Sequence, residues 1–338
     1  MKIALDAMGG DHAPGEIVRG AWETCRYNGL KVIMVGDRDI LQREIDLLGP
    51  CDGLEIVHAP EVISMHEAPA AAVRRKKNSS VVMAADLVRS GEAVAMVSAG
   101  STGATMAAAL LRLGRIKGID RPAIASVLPT EKGATILLDV GANVDCKAKN
   151  LLQFAIMGAL YARKVLGIEK PRVGLLNVGE ESTKGNELTQ EAYPLFMNND
   201  INFCGNIEGR DIFTGTMDVV VCDGFVGNVV LKTSEGLAKV LMSMVKSEMQ
   251  HSNLAKIGAI LALPSLKNLK KRLDYSEYGG APLLGINGVA IVCHGSSQAQ
   301  AIRNALSSAK ESVDTDLIKS IGARLYDPAR EVSCANEM

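Results

Sequence analysis

The residues best suited to chemistry lie in a polar loop, residues 177–187, which follows the apolar run 173–176. The loop carries Lys184 and leads into a segment that predicts a helix over 188–197. Backbone N–H groups at the start of a helix, together with its dipole, favour a bound anion, and Lys184 would add a full positive charge. The order Lys-Gly-Asn differs from the Gly-Lys-Ser/Thr of a nucleotide-binding P-loop. The loop therefore predicts a phosphate-type anion site and leaves the reaction open.

Four further loops follow the same pattern, in which an apolar strand opens into a loop rich in Gly, Ser, Asp or Asn before a helix. Ligands collect at the carboxyl ends of strands in open α/β sheets, so we expect the five loops to form one composite site. Small residues in such loops also permit tight packing of helix on sheet, which is the alternative interpretation. The candidate phosphate- and substrate-binding residues are Asp6, Gly9, Gly10, Ser98, Gly100, Ser101, Thr102, Gly103, Asp139, Asn143, Gly179, Glu180, Gly185, Asp223 and Gly227.

The candidate catalytic groups are Lys184, Asn228 in the loop after a predicted strand, and His294 at the end of another. Amides, hydroxyls, backbone N–H groups and a lysine stabilise an oxyanion without supplying a covalent nucleophile. Such a set suits a reaction in which phosphate itself attacks. A solvated lysine in a turn and a structural histidine are the alternative interpretations of Lys184 and His294.

Composition and charge argue against several classes of protein. The 338 residues are 47% apolar, enough for a large core, and their net charge of −1 lacks the basic excess of a nucleic-acid binder. Seven cysteines occur without C-x-x-C spacing, and the aspartates at strand ends are ordinary caps and turn formers, so we expect no metal site. No Gly-x-Gly-x-x-Gly follows a predicted strand, which disfavours a dinucleotide site. Since the N-terminus predicts a strand and no apolar run could span a bilayer, we expect a cytoplasmic protein.

The alternation of apolar strands and helices predicts an α/β fold with a mostly parallel sheet and helices on both faces. We expect one enzyme domain over residues 1–338, with residues 229–275 as a protruding helical segment. Residues 229–250 predict one long helix with several apolar side chains on a shared face, which favours a contact between two copies of the chain. The predicted strands are 2–6, 31–36, 54–59, 93–97, 123–128, 135–140, 173–176, 201–205, 218–222 and 289–293.

The segment 251–278 differs in character from the rest of the chain. Leucine and isoleucine recur there at i, i+3 and i+7 in two stretches divided by Pro264, and basic residues cluster over 267–272. A hairpin with apolar stripes and basic flanks binds a membrane interface that contains anionic lipid. The alternative is that the stripes pack at a dimer interface or on the core. A second basic run, 74–77, and the cluster 267–272 are both candidate docking surfaces for an acidic protein.

Seven segments, in order along the chain, strongly resemble the bacterial phosphate acyltransferases of phospholipid synthesis, the acyl-acyl-carrier-protein:phosphate acyltransferases. The resemblance runs from residue 2 to about residue 310. Ser101 is a departure from it, because asparagine is expected more often at this position. The matching segments are residues 6–11, 98–103, 138–143, 177–181 with Lys184-Gly185, 223–228, 279–281 and 294–297.

The resemblance implies a fold similar to that of phosphotransacetylases and isocitrate-dehydrogenase-like enzymes, in a homodimer without a cofactor. It implies transfer of a long-chain acyl group from acyl carrier protein to inorganic phosphate, giving an acyl phosphate that a membrane acyltransferase uses. Phosphate would be held by the Lys184 loop and the loop of Ser101 and Thr102. Lys184, with Asn228 or nearby N–H groups, would stabilise the oxyanion.

Two other functions remain open on the residues alone. One is a metal-dependent dehydrogenase or decarboxylase on a related fold, which would need a cluster of aspartates and a nucleotide site. The other is a non-catalytic regulator that binds an acyl carrier or lipid, which would not need five anion-type loops. The five loops favour an enzyme, and the segment 251–278 predicts a peripheral contact at the inner face of the membrane, with packing at a dimer interface or on the core as the alternative.

Overall fold

A computed structural model of the chain describes residues 1–251, 253–273 and 279–325. Its strands are β1 Lys2–Asp6, β2 Lys31–Gly36, β3 Leu54–His58, β4 Ala95–Ser98, β5 Ala123–Thr130, β6 Gly133–Leu138, β7 Val173–Leu176, β8 Phe203–Ile207, β9 Val219–Val221, β10 Ala281–Leu284 and β11 Val289–Val292. Its helices are α1 Gly15–Asn28, α2 Arg38–Leu48, α3 Pro69–Arg75, α4 Ser80–Ser90, α5 Thr102–Leu113, α6 Ala148–Lys164, α7 Glu187–Met197, α8 Gly224–Glu248, α9 Asn253–Leu273, α10 Ala299–Asp314 and α11 Leu317–Leu325, with a 3-10 turn at Gly209–Phe213.

The strands form one sheet in the order β3-β2-β1-β4-β11-β10-β5-β6-β9-β7-β8. Neighbouring strands in the run β3-β2-β1-β4-β11 are parallel to each other. Neighbouring strands in the run β6-β9-β7-β8 are parallel as well. Between these two sets, β10 is antiparallel to β11 and to β5, and β5 is antiparallel to β6. The expected mostly parallel sheet is therefore confirmed, and an antiparallel centre that the sequence did not predict joins its halves.

The register at the centre brings the two sets of strand ends together. Val292, at the end of β11, pairs with Ala281 at the start of β10, and Leu138, at the end of β6, pairs with Ala125 near the start of β5. The four residues of β10 pair first with β11 and then with β5. The carboxyl ends of the parallel strands in both halves of the sheet therefore lie around these central strands. This placement creates a cleft where the loops of the two halves meet.

Two helices begin earlier than the apolar pattern predicted, and each has a polar cap. The Oγ of Ser101 accepts a hydrogen bond from Ala104 N at 3.4 Å, so α5 begins at Thr102, inside the polar segment 98–103. A carboxylate oxygen of Asp223 accepts from Val226 N at 3.0 Å, so α8 begins at Gly224 rather than at 229. Such caps satisfy backbone donors that the first turn leaves free, and they place candidate residues within helical first turns.

The long helix α8 carries apolar side chains that the described chain leaves uncovered. Leu237, Leu241 and Met244 are 58%, 52% and 60% exposed. Among the described residues, none of the helices combines the length and the apolar character that crossing a bilayer requires. Parts of the segment 251–278, including the side chains of its basic cluster 267–272, lie outside the described residues.

Candidate active site

A cavity of about 370 Å³ lies where α5, β5, α8 and β11 meet. Its walls are largely apolar, with side chains such as Met106, Ile124, Val127 and Leu231. Polar groups enter it from both halves of the sheet, so the cavity combines an apolar interior with convergent donors and acceptors, as ligand sites do. The polar side chains in its wall are Thr102, Ser126, Asn228, Lys232, Glu235, His294 and Ser297.

Asp6, at the end of β1, positions the loop that precedes α5. Its side chain is 2% exposed, and one oxygen accepts a hydrogen bond from Ser98 Oγ at 2.7 Å. The same Ser98 Oγ accepts from Gly100 N at 3.1 Å, which shapes the turn that leads to Thr102. Burial raises the pKa of Asp6, while its hydrogen-bond donors act in the opposite direction. Asp6 thus positions the turn from within the core.

Asp139, at the end of β6, has the same role in the other half. It is fully buried, and its oxygens accept from the backbone N–H groups of Ile124 at 3.0 Å, Ala142 at 3.1 Å and Asn143 at 2.7 Å. The Asn143 amide donates to it as well, at 2.9 Å. Burial raises the pKa of Asp139, and these donors oppose that shift. Asp139 and Asn143 therefore hold the loop in one shape from below the cavity floor.

Close approach of α8 to this loop places Asn228 at the cavity. A Cβ on Gly224 would lie 2.6 Å from Asn143 O and 2.8 Å from a carboxylate oxygen of Asp139, so a side chain has no room there. A Cβ on Gly227 would overlap the carbonyl oxygen of Asp139. The two glycines let the first turn of α8 lie directly on the loop, which brings the exposed Asn228 to the cavity wall.

The Lys184 loop is held by amide side chains rather than by regular structure. Asn206 Nδ2 donates to Glu181 O at 2.8 Å, and Asn177 Nδ2 donates to Lys184 O at 3.1 Å. The loop borders a neighbouring cavity of about 190 Å³, whose wall includes Asn177, Gly185 and Asp223. Lys184 itself is exposed and does not form part of the wall of the larger cavity. The first turn of α8 separates the two cavities, because Asp223 faces one and Gly224 the other.

His294, after β11, lies in the cavity wall as a neutral imidazole. Its Nδ1 accepts a hydrogen bond from Ser296 N at 3.1 Å, which leaves the ring proton on Nε2 in the neutral form. Burial, and after it the charge of Lys232, lower the pKa of His294 below its usual 6.5. At neutral pH the ring is therefore an N–H donor at Nε2.

The buried cysteine beside the cavity is not an activated nucleophile. Cys293 forms part of the wall, but burial raises the pKa of its thiol to about 12. A thiol with so high a pKa stays protonated at neutral pH, whereas the thiolate is the reactive form. Among the described residues, no three His, Cys, Asp or Glu side chains are grouped as a metal site would require.

The structure divides the predicted composite site into three parts. Thr102, Gly103, Asn228 and His294 line the larger cavity. Asp6, Ser98, Gly100 and Ser101 line a small space behind it, and Gly185 and Asp223 border the neighbouring cavity. Of the other candidates, Gly179 is buried and Glu180 is exposed on the Lys184 loop, while Gly9 and Gly10 lie in the turn behind Gly100.

Sequence reasoning missed Lys232 and Glu235 in the wall of the larger cavity. They follow Asn228 at i+4 and i+7, so the three side chains share one face of α8. That spacing is visible in the sequence, but the apolar residues of the same helix predict only a contact surface. Ser126, in β5, carries no sequence signal, because its place in the site depends on the antiparallel centre of the sheet.

Two phosphotransacetylases are among the solved structures that share this fold. The EutD phosphotransacetylase from Staphylococcus aureus superposes with a TM-score of 0.63 at 17% identity, covering 92% of this chain and 94% of that one. A phosphotransacetylase from Streptococcus pyogenes gives 0.64 at 19% identity, covering 94% of both chains. At such low identity the likeness establishes the fold class alone.

Sequence comparisons identify the family. A family model described as "Fatty acid synthesis protein" matches residues 1–320. The "Phosphate acyltransferase" of Pelotomaculum thermopropionicum is 63% identical over 321 residues, covering 95% of this chain and 94% of the relative. That of Heliobacterium modesticaldum is 58% identical over 323 residues, with coverages of 95% and 96%. The chain belongs to the phosphate acyltransferase family and is an acyltransferase, as the resemblance predicted.

Proposed function

We propose that the protein transfers a long-chain fatty acyl group from acyl carrier protein to inorganic phosphate, giving an acyl phosphate for phospholipid synthesis. The observation that carries this proposal is the larger cavity, whose apolar wall suits an acyl chain while its polar groups come from α5, α8 and the turn after β11. No cofactor takes part in the proposed reaction. The names of the relatives support phosphate as the acyl acceptor.

In the proposed mechanism phosphate is the nucleophile, and the protein orients it and stabilises charge. The backbone N–H groups at the start of α5, near Thr102, attract the anion together with the positive charge of Lys184 at the neighbouring loop. Phosphate attacks the thioester carbonyl, and Asn228 and the Nε2–H of His294 donate to the oxyanion that develops. One such donor contributes roughly 3–4 kcal/mol to the transition state.

Collapse of the tetrahedral intermediate breaks the C–S bond and releases the carrier thiolate. A thiol has a pKa near ~8.5, so the thiolate leaves without strong help from a general acid. This explains why a site without an activated cysteine or a metal-type cluster among its described residues suffices. The proposed roles of Asp6 and Asp139 are to hold the two loops in place, since both are buried.

The decisive assay is phosphate-dependent release of free carrier thiol from acyl carrier protein. We expect Asn228→Ala and Lys184→Ala each to lower turnover at saturating phosphate, and Lys246→Ala, an exposed change near the far end of α8, to leave it unchanged. Near-normal turnover in both site variants would refute the assignment. If wild-type protein released no thiol, a non-catalytic carrier-binding protein would be favoured, and loss of activity with EDTA would favour the metal-dependent alternative.

The proposed enzyme acts as a homodimer that uses the exposed apolar face of α8. Val240, Leu241 and Met244 on this helix are 55%, 52% and 60% exposed. A soluble monomer rarely exposes a contiguous apolar patch of this kind to water. Sedimentation equilibrium tests this assignment with the double variant Leu241→Glu and Met244→Glu. We expect the wild type to sediment at twice the chain mass and the variant at the chain mass.

We propose a cytoplasmic enzyme whose segment 251–278 contacts the inner face of the membrane, where a membrane acyltransferase consumes the acyl phosphate. Ile260 and Leu261 on α9 are 66% and 79% exposed, which supports an apolar contact outside the described chain. Flotation with anionic vesicles tests the contact. Intact protein that stays with the unbound fraction at low salt would rule it out.

A further inference from the structure

The described part of α8 places an ion pair in the wall of the larger cavity, where the proposed mechanism does not use it. Lys232 Nζ lies 3.0 Å from one carboxylate oxygen of Glu235. The Glu235 side chain is only 9% exposed, although the helix around it is mostly solvent-facing. A buried carboxylate is costly unless its oxygens are paired, so its presence beside a ligand cavity calls for a partner.

Only one of the two oxygens of Glu235 has such a partner. Oε2 accepts from Lys232, whereas Oε1 is buried and lacks a hydrogen-bond partner among the described residues. A carboxylate oxygen accepts hydrogen bonds and cannot donate them when ionised. The missing partner is therefore a hydrogen-bond donor, and rearrangement around a bound ligand is the event that would supply it.

The neighbours of the pair indicate that this ligand is an anion. Lys232 contributes a positive charge, α5 begins at Thr102 in the same cavity wall, where the start of a helix favours a negative charge, and His294 presents a neutral ring. An anion that accepts from Lys232 Nζ lies beside Glu235, because these two side chains are bonded to each other. A fully deprotonated anion would be repelled by the carboxylate, and one that retains an O–H would donate to it.

We infer that Lys232 and Glu235 form a selectivity filter that admits a hydrogen-bearing oxyanion, inorganic phosphate, and rejects an oxyanion without a proton, such as sulfate. Near neutral pH phosphate keeps at least one P–O–H group, which Glu235 accepts, while Lys232 pairs with a charged oxygen. Sulfate has the same tetrahedral shape but no proton to donate. The inference rests on the proposed function only for naming phosphate as the physiological anion.

The filter is tested by anion binding to the full-length protein in the absence of any acyl donor. The unfolding midpoint is measured against the concentration of phosphate, arsenate, monofluorophosphate or sulfate at constant ionic strength, because a ligand of the folded state raises it. In the wild type we expect phosphate and arsenate, which keep an O–H, to bind more tightly than monofluorophosphate and sulfate. The expected ratio is about 10- to 100-fold, the effect of one hydrogen bond to a charged group.

Glu235→Gln is the diagnostic variant, since its amide can donate to an oxyanion and removes the repelling charge. We expect the phosphate-to-sulfate ratio to fall towards one in Glu235→Gln and to stay at the wild-type value in Glu248→Gln, an exposed change on the same helix. Lys232→Gln should weaken both anions while preserving the ratio. An unchanged ratio in Glu235→Gln, including the case in which only the KM for the acyl donor rises, would overturn the inference.

The wild-type anion series decides the matter even if Glu235→Gln fails to fold. Equal affinity for phosphate and monofluorophosphate, or binding of neither, would overturn the filter without any variant. The anion assay contains no acyl donor, so its result is independent of the carrier-thiol assay. Selective anion binding without release of carrier thiol would refute the proposed function and leave the filter intact. Acyl transfer without anion selectivity would do the opposite.

Discussion

Replacing the buried Asp139 carboxylate by an amide should destabilise the whole cavity floor. Asp139 accepts hydrogen bonds from four donors in its own loop, contributed by Gly141, Ala142 and Asn143, and from Ile124 N on β5. In Asp139→Asn one of the two acceptor oxygens becomes an NH₂ group. The N–H groups that donated to that oxygen then lose this acceptor. The side chain has nearly the same shape, so the change tests hydrogen bonding rather than packing.

The magnitude follows from which oxygen is lost. If the amide nitrogen takes the place of Oδ2, the backbone N–H and side-chain amide of Asn143, at 2.7 and 2.9 Å, lose their acceptor. If it takes the place of Oδ1, the N–H groups of Ile124, Gly141 and Ala142 lose theirs. At least two donors, buried or partly buried, lose this acceptor in either orientation. Each costs about 1–3 kcal/mol, so the free energy of unfolding should fall by about 2–6 kcal/mol.

Urea denaturation of the two proteins measures the difference directly, with the denaturation midpoint and the slope compared to confirm that only stability has changed. The control is Asp145→Asn, a change of the same chemistry at an exposed position in the same loop, for which we expect a change within about 0.5 kcal/mol. The reasoning would be refuted if Asp139→Asn unfolded within that margin of the wild type.

Three further predictions concern single side chains around the cavity. Gly227→Ala should destabilise the protein by about 1–3 kcal/mol or more, because the added Cβ would overlap Asp139 O. Gly236→Ala, in open space on the same helix, should instead stabilise the protein by about 0.5–1 kcal/mol. Thermal unfolding of both variants separates the two effects. Ser101→Ala should cost about 1 kcal/mol as a lost cap of α5 and Ser101→Asn should restore it, again by denaturation; equal stability of all three would contradict a capping role. Because the pKa of His294 is lowered from 6.5 in the folded state, its contribution to stability is complete above pH 6.5 and is lost as the pH falls through the folded-state pKa. The slope of the unfolding free energy against pH in this acidic range should therefore flatten in His294→Gln. An unchanged slope would show that His294 does not contribute to the pH dependence of stability.

Local signals in the sequence predicted most of the sheet, and long-range pairing explains what they missed. Strands such as Val173–Leu176 are fully buried apolar runs, so composition alone located them. β10 has only four residues, one of them Pro282, and no alternation to distinguish it from a loop. Its strand character depends on pairing with β5, more than 150 positions earlier in the chain, which a local pattern cannot contain. The strand β10, which joins the two halves of the sheet, was missed for that reason.

The candidate site shows the same division between local and distant information. The loops that follow predicted strands were found because glycine and polar residues mark them, and Thr102, Asn228 and His294 indeed share one cavity. Lys184 was expected in that group, yet its loop borders the adjacent cavity, so its role in catalysis stays a prediction. Lys232 and Glu235 were missed because a long amphipathic helix gives no local sign that one turn of it meets a ligand.

The two aspartates at the strand ends change which residues deserve a chemical role. Asp6 and Asp139 occupy equivalent places in the two halves, each at the end of a strand, each buried and each accepting N–H groups from the turn that follows. Glycines approach both carboxylates closely, since a Cβ on Gly9 would lie 2.5 Å from Asp6 and one on Gly224 would lie 2.8 Å from Asp139. Both carboxylates are therefore held by donors of their own chain, and contact of either one with substrate stays a prediction.

The wall of the larger cavity has few acid–base groups among the described residues, and Glu235 is the carboxylate among them. A reaction between a dianionic nucleophile and a neutral thioester needs donors at the developing oxyanion, which Asn228 and His294 offer, and little proton transfer. The carboxylate is then available for recognition instead of catalysis. These roles are expected if Lys232 and Glu235 first select the anion, and Asn228 and His294 then stabilise the charge that its attack on the thioester creates.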